Sequence, residues 1–273
     1  MTLIEVLRRA TGYLELHGSS SPRLDAEVLL AFALRLRRLD LYLQFERELG
    51  EAELVPYREL TARRGRGEPV AYLTGHREFM ALDFEVTPDV LVPQPDTEVL
   101  VQRAVEWGRA RGDSASLRFA DVGTGSGCIA VSVAHYLPGA VVDASDVSAA
   151  ALAVAGINAA RLGVGDRVRL REGDLTKPLE GPYDAIVANL PYLSPDAALP
   201  AEVTAQPALA LFGGVKLINR LLAAAPALLA PGGIALLELD PSVLEALAVP
   251  AAFAGWKLHR DLGGHERVLE AWT

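Results

Sequence analysis

A single cysteine in 273 residues, Cys128, leaves no partner for an internal disulfide and fits a reducing compartment, so a cytoplasmic location is expected. No apolar run approaches the roughly 18 residues needed to cross a bilayer. The opening stretch MTLIEVLRRATGYLELHG has an acid at Glu5, no apolar core and no small-residue cleavage site, so it does not read as a secretory signal. The five histidines (His17, His76, His135, His259, His265) are scattered without ligand spacing, and no metal is expected. A basic balance is also missing. The formal charge is −9; residues 1–77 hold 12 Arg against 11 acids, and the remainder holds 14 Lys and Arg against 24 acids. The acidic part is a poor grip for a nucleic-acid backbone, so neither nucleic acid nor membrane is expected as a partner. Nothing requires a dimer, and a monomer is expected.

What is present is a globular composition, 51% hydrophobic and 22% charged, at a length that fits one or two domains. Leu3, Val6, Leu7, Ala10 and Leu14 recur at helical spacing over residues 2–16. Ser21-Pro22 reads as a cap and first turn, followed by a stripe of Leu24, Val28, Leu29 and Phe32. A further helix fits Glu51 to about Arg64, ended by Gly65 and Gly67. Residues 1–77 are therefore expected to form a small helical domain. Its clusters Arg35-Leu36-Arg37-Arg38 and Arg63-Arg64-Gly65-Arg66 suit either a solvated helix face or a docking surface for a partner.

Between 78 and 98 the period changes. Phe79, Leu82, Phe84 and Val86, then Val90, Leu91 and Val92, predict a linker hairpin around a Thr87-Pro88-Asp89 turn. Asp96 or Thr97 is expected to cap the helix that follows. From 99 to 273 strands and helices alternate. Residues 117–122, 140–145, 168–170, 183–188 and 234–239 read as buried parallel strands, with helices at 128–136, 149–161 and 216–229. Trp256–Leu262 and Arg267–Trp272 have no helix between them, so a hairpin closes the sheet and one edge strand should run antiparallel. The fold class is α/β, a mostly parallel, Rossmann-like seven-stranded sheet with an antiparallel edge hairpin, behind the helical domain.

Three segments of this sheet carry chemistry. Asp121-Val122-Gly123-Thr124-Gly125-Ser126-Gly127 follows a strand and opens a helix, where glycines let the backbone approach a ligand and the helix offers free N–H groups. A tight strand-to-helix turn would look the same. Asp146 closes the next strand, placed to accept two ribose hydroxyls. Cys128 stands where a dinucleotide fingerprint wants its third glycine, which disfavours NAD; it reads as a small residue packed behind the loop. Gly173-Asp174-Leu175 follows, where an adenine ring fits; Asp174 suits either its amino group or a helix cap. Asn189-Leu190-Pro191-Tyr192 ends the strand at 183–188, beside the switch point of the sheet. It suits a planar –NH2 acceptor, a poor nucleophile whose lone pair is delocalised. The Asn189 side-chain oxygen and the Leu190 carbonyl can each accept one N–H and aim that lone pair. Pro191 holds Leu190 extended, and Tyr192 can pack on the acceptor plane. The bland alternative is an ordinary Asn-x-Pro loop.

With these residues in order, the chain resembles the release-factor glutamine N5-methyltransferases, the HemK family, over nearly its whole length. The resemblance is carried by residues 67–75 (GEPVAYLTG) with Glu78-Phe79, by 90–98 (VLVPQPDTE), by the glycine loop, Asp146 and 189–192, and by 206–214 (QPALALFGG), 231–233 (PGG) and 261–267 (DLGGHER). It implies a class I S-adenosylmethionine-dependent methyltransferase. Gly123, Thr124, Gly125, Ser126, Gly127, Asp146, Asp174, Leu175 and Asn189 would hold S-adenosylmethionine, leaving S-adenosylhomocysteine as product. The implied partner is a class 1 peptide-chain release factor, methylated on the glutamine of its Gly-Gly-Gln motif, with residues 1–77 docking it. The sequence departs from the family pattern at Leu190, usually Pro, at Gln94, commonly Arg, at Val215-Lys216, usually Asp-Gly, and at Asp240, commonly Gly. The Asn-Leu-Pro-Tyr turn also resembles that of ribosomal-RNA adenine dimethylases. Adenine-N6 methylation of RNA or DNA is thus the competing activity, and a non-catalytic adaptor the competing class.

Overall fold

A computed structural model describes residues 1–112, 116–261 and 263–273. The chain divides into two compact units, residues 1–76 with 198–205, and residues 77–197 with 206–273.

The first unit is helical: α1 (Leu3–Leu16), α2 (Pro22–Leu34), α3 (Arg38–Tyr42), α4 (Glu51–Gly65) and α5 (Val70–Thr74). In α1 the five apolar positions read from the sequence are all buried, and Glu5 reaches back to the Thr2 N–H at 2.9 Å to close the first turn. In α2 the phase differs from the expected stripe. Leu24 and Phe32 are exposed, while Asp25, Ala26, Leu29 and Leu30 face inward. The cap differs too: the Ser21 side chain makes no cap bond, and Ser19 Oγ accepts from the Ser21 N–H and donates to Asp25.

What rotates α2 is a buried cation. Arg64, 6% exposed, donates from Nε to Asp25 Oδ2 at 2.7 Å and pairs through Nη2 with Glu202, from the 198–205 segment of the same unit. A solvated Arg face is therefore wrong for Arg64. Three other arginines of the clusters lie nearer solvent with intramolecular partners, Arg37 on Asp40 at 2.8 Å, Arg38 near Glu27 at 3.9 Å and Arg63 on Glu68.

The second unit begins with a hairpin, β1 (His76–Phe79) and β2 (Leu82–Glu85), displaced from the 79–92 hairpin read from the sequence. Its turn is Met80-Ala81, not Thr87-Pro88-Asp89, with φ of 51° and 56°. Two left-handed residues give a type I′ turn, which normally requires Asn or Gly. Tertiary bonds enforce it here: Tyr136 Oη donates to the Met80 carbonyl at 2.5 Å, and the Met80 N–H donates to Glu98 at 2.7 Å. Residues 87–96 hold no strand, though Val90 and Val92 are buried.

Then follow α6 (Thr97–Ala110), β3 (Arg118–Val122), α7 (Cys128–Tyr136), β4 (Val141–Asp146), α8 (Ala149–Arg161), β5 (Val168–Glu172) and β6 (Tyr183–Ala188). After the short helices α9 (Ala201–Thr204) and α10 (Ala208–Leu211) come α11 (Gly214–Ala224), β7 (Leu229–Glu238), β8 (Gly255–Arg260) and β9 (Glu266–Trp272). Neither expected cap of α6 operates: Asp96 has helical φ of −62° with no side-chain cap bond, and Thr97 is 2% exposed. The seven strands run in the order β5-β4-β3-β6-β7-β9-β8. Those from β5 to β7 are parallel, and β9 is antiparallel to both β7 and β8. The closing hairpin sits at the sheet edge as expected, but the reversed strand is β9, one in from the rim, not the edge strand itself. Leu262, placed by the sequence at the end of the first hairpin strand, lies outside the described residues. Two apolar layers cover the sheet, one under α6 and α7 around Phe119, Val142 and Val187, the other under α11 around Ile186, Leu221 and Leu237.

Removing one member of a buried ion pair strands its partners, at about 3–5 kcal/mol. Arg64→Met is therefore expected to lower the unfolding free energy by about 3 kcal/mol in a urea titration. Arg58→Met, which breaks an exposed pair with Glu51, should cost about 0.5 kcal/mol or less. Equal losses in the two variants would exclude the buried pair as an anchor of the helical unit.

Candidate functional site

The order of the sheet reverses between β3 and β6, so the connections leaving their carboxyl ends diverge and open a cleft. Its volume is about 350 Å³, and its walls come from 89–91, 93–94, Thr97, 123–126, Cys128, Ile129, 145–148, Ala151, 173–175, 189–191, Pro207, 209–210 and Leu217. That is within the size range of small-molecule sites.

On the β3 side, Gly123, Gly125 and Gly127 all have left-handed φ, at 77°, 55° and 80°. Two of them are also needed for space. A Cβ on Gly123 would lie 2.9 Å from Leu190 Cδ2, and one on Gly127 would lie 3.0 Å from Ala155 Cβ in α8. The loop is pinned from β4: the Gly123 and Thr124 N–H groups donate to the Ser145 carbonyl at 2.8 and 2.9 Å. Asn158, fully buried, donates to the carbonyls of Ser126 and Glu85 and accepts from the Glu85 N–H at 2.7 Å, tying the loop to β2.

Asp146 ends β4 on the cleft wall, half-buried. Its Oδ2 accepts from the Gly125 N–H and its Oδ1 from the Ser148 N–H, both at 2.9 Å. Each oxygen keeps a second lone pair, so the carboxylate is oriented by the backbone and still able to accept hydroxyls. Asp174 also lines the cleft, but its carboxylate is held by Lys177 at 3.0 Å and Arg220 at 2.7 Å, which keep it below the usual carboxylate range. Leu175 has φ of 51°, and its carbonyl accepts from Ser145 Oγ at 3.1 Å.

On the β6 side, Asn189, Leu190 and Pro191 line the cleft. Asn189 Nδ2 donates to Thr97 Oγ1 at 2.9 Å, which leaves Oδ1 as the free end of the carboxamide. Tyr192 is not among the lining residues; its ring packs into the layer under α11, and burial pushes its phenol up to about 12. Gln94 is on the wall, with its amide bonded to the Val92 carbonyl at 2.8 Å. Cys128 is buried at the cleft wall, and burial pushes its thiol up to about 12, so it stays protonated.

Among the described residues, the charged side chains lining the cleft are Asp89, Asp146 and Asp174, with no Lys or Arg. Such a wall disfavours phosphate and suits a cationic ligand. Among the described residues no group of three or more His, Cys, Asp or Glu could hold a metal, and no helix is long and apolar enough to cross a membrane. Sequence reasoning missed Thr97 as more than a cap, and it missed Asn158, Glu238 and Arg267. Glu238 is 3% exposed at the end of β7, and Arg267 pairs with Asp96 at 3.2 Å and Asp261 at 3.3 Å. A carboxylate ending an apolar strand (IALLE) was the available signal for Glu238.

Two family models match this chain, one described as PrmC N-terminal domain over residues 5–75 and one as methyltransferase small domain over residues 97–237. The chain is 50% identical over 219 residues to a release factor glutamine methyltransferase of Moorella thermoacetica, a match covering 78% of this chain and 76% of that one. With the Rhodopirellula baltica protein of the same name, identity is 41% over 281 residues, covering 98% and 95% of the two chains. Among solved structures, the human Mettl16 catalytic domain superposes with a TM-score of 0.54 at 18% identity, over 78% of this chain and 81% of that one. A Thermus thermophilus 16S rRNA N2 G1207 methyltransferase superposes with a TM-score of 0.52 at 18% identity, over 72% and 49%. At such identities the likeness is one of fold alone, and the fold is that of class I S-adenosylmethionine-dependent methyltransferases.

Beneath the glycine loop, Asp121 is wholly buried. Its Oδ2 accepts from Thr124 Oγ1 at 2.6 Å and from the Ala130 N–H at 3.1 Å, while its Oδ1 has no hydrogen-bond partner. Burial pushes this carboxyl up to about 7, from an ordinary value of 3.8. A carboxyl raised in this way holds its proton in the folded chain over a window where the unfolded chain has released it. Its contribution to stability is therefore present at low pH and lost as pH rises through about 7. Asp121→Asn should remove that loss. The variant's unfolding free energy relative to the parent is expected to climb between about pH 5 and 7, by up to about 1.4 kcal/mol per pH unit. A pH-independent difference between the two would show that Asp121 ionises normally.

Proposed function

The chain belongs to the release factor glutamine methyltransferase family, and we propose that it methylates the side-chain amide N5 of the glutamine in the Gly-Gly-Gln motif of class 1 peptide-chain release factors. The observation that carries this reading is Asn189. It stands at the end of β6, across one cleft from the glycine loop and Asp146, with its Nδ2 engaged by Thr97.

S-adenosylmethionine is the donor in this reading. The fit rests on the wall itself: a left-handed glycine loop with open space at Gly125, an oriented carboxylate at Asp146, and an acidic lining suited to a cation. When bound, S-adenosylmethionine supplies an electrophilic methyl group on a positively charged sulfur. Gly123–Gly127 with Asp146 would hold it, Asp146 accepting the ribose hydroxyls, and Asp174 and Leu175 would flank the adenine. The protein's own task is to make an amide nitrogen nucleophilic. Asn189 Oδ1 and the Leu190 carbonyl each accept one N–H of the acceptor amide, which fixes its plane and favours positive charge growing on nitrogen.

The acceptor is a protein loop, and a glutamine side chain alone offers few contacts. The helical domain, residues 1–77, is assigned the docking of the release factor, with 78–98 as linker and 99–273 as the methyltransferase domain. Reversing Arg37 and Arg38 to Glu should raise KM for the release factor, more so at low salt, with kcat retained. An unchanged KM at unchanged fold would remove docking from this cluster.

The main test is mass spectrometry of purified release factor, and of ribosomal RNA in parallel, after incubation with enzyme and donor. One added methyl on the Gly-Gly-Gln peptide is expected, and methylated RNA with unmodified protein would overturn the reading. Asn189→Ala should lower kcat by about two orders of magnitude, the scale for a lost transition-state partner. Asp146→Ala should instead weaken donor binding by about 1.5–3 kcal/mol in calorimetry. Donor affinity unchanged in that variant would take Asp146 out of the donor site.

A further inference from the structure

Asn158 takes no part in the chemistry proposed above, and it is not among the residues lining the cleft. It is nevertheless a fully buried carboxamide on α8 whose bonds all run to the backbone of other segments. Its Oδ1 accepts from the Glu85 N–H at 2.7 Å, and its Nδ2 donates to the carbonyls of Glu85 and Ser126, both at 2.9 Å. Both N–H groups of the carboxamide and its oxygen are thus engaged, a set that an ionised carboxylate or an aliphatic side chain of the same size cannot supply.

Two segments meet on this one group. Ser126 belongs to the glycine loop. The residue after it, Gly127, packs so closely on α8 that a Cβ would lie 3.0 Å from Ala155 Cβ, one turn before Asn158. Glu85 ends β2, and the chain runs on through buried Val86 to Asp89, Val90 and Leu91, which line the cleft. The hairpin β1–β2 is a two-stranded sheet, an element that holds its place through what it packs against. Asn158 occupies both the N–H and the carbonyl of Glu85, as a neighbouring strand would. Arg161 fastens the same strand through Asp83 at 3.2 Å.

We propose that Asn158 is a positioning residue for the methyl donor, a tether that locks the glycine loop to the linker strand so that the two walls of the donor site are ordered together. This rests on the reading of the glycine loop and Asp146 as the donor site given above. The tether acts on the loop and not on the reacting atoms. Cutting it lets a loop with three left-handed glycines relax, and bound donor must then restore the loop's geometry out of its own binding energy. Donor affinity therefore carries the effect, and saturating donor recovers turnover. The coupling is reciprocal: a donor that orders the loop also orders Glu85.

The experiment uses full-length protein and S-adenosylmethionine, with affinity from calorimetry, kcat and KM from turnover, and amide hydrogen exchange read on peptides 82–91 and 121–128. Asn158→Leu removes all three bonds at similar size, and Asn158→Asp keeps the acceptor and loses both donors when ionised. Each should weaken donor binding about 10-fold, the scale of one buried hydrogen bond, and raise KM for donor with kcat retained. Val154→Ala makes a cavity elsewhere in α8 and should leave donor affinity at the parental value. The tether is overturned if a folded Asn158 variant binds donor like the parent, if kcat falls while KM for donor stays, or if Val154→Ala weakens binding as much. Asp146→Ala runs alongside. Should it and Asn158→Leu both bind donor like the parent, the donor-site reading falls with the tether; should Asn158→Leu alone do so, only the tether falls. If neither Asn158 variant folds, exchange in the parent decides. Added S-adenosylmethionine should slow peptides 82–91 and 121–128 together, and protection of 121–128 alone overturns the proposal.

Discussion

Between the carboxyl ends of β3 and β6 the backbone must diverge and still approach a ligand from both sides. On the β3 side the chain does this by turning left-handed at Gly123, Gly125 and Gly127, a conformation that costs other residues about 1 kcal/mol or more each. The turn persists because its neighbours over-determine it. Ser145 takes two of its N–H groups, Asp146 a third, and Asn158 one of its carbonyls. Every other feature of the cleft is placed relative to that loop. Asp146 is aimed by the same bond that holds Gly125, and α7 begins where the loop ends.

The sheet then distributes its carboxylates by depth. Asp121 and Glu238 lie under the floor, where burial lifts both to about 7 and each keeps one oxygen without a partner. Asp174 on the wall sits between Arg220 and Lys177 and is held down as an anion. Below about pH 7 negative charge is thus concentrated on the wall, where solvent and cations stabilise it, while these two buried acids hold their protons. Arg267 sits between the two sets. It pairs with Asp96 and Asp261 and favours the ionised form of Glu238.

How much of this was legible in the sequence followed the range of the forces involved. The glycine loop, Asp146 and the Asn189 turn are local patterns with local causes, and the structure brings them to one cleft. The strands and α7 and α8 lie close to where periodicity puts them, because burial on a parallel sheet leaves near-continuous apolar runs. What failed was long-range. The Met80-Ala81 turn is held by Tyr136 and Glu98, neither adjacent in sequence, and no turn propensity announces it. The face of α2 is chosen by Arg64, 39 positions from Asp25. Thr97 read as a cap because it opens a helix, yet the partner that turns it inward, Asn189, is 92 positions away.

The departures from the family pattern can be reread in the same terms. Asp240, where Gly is common, accepts the Ser242 N–H at 2.9 Å and lies 3.9 Å from Arg267, so its side chain caps the turn after β7 and joins the Arg267 cluster. Leu190, where Pro is usual, loses a ring that would stiffen the backbone carrying a carbonyl toward the cleft. Its side chain offers a different restraint: it is 3% exposed, and a Cβ on Gly123 would lie 2.9 Å from its Cδ2. The leucine therefore fills the space that the absent glycine side chain leaves open. In doing so it packs the 189–192 turn directly onto the glycine loop. A proline at 190 would fix one backbone angle, whereas this leucine fixes the distance between two motifs. In the proposed reaction that distance must be constant, since donor and acceptor would meet across it.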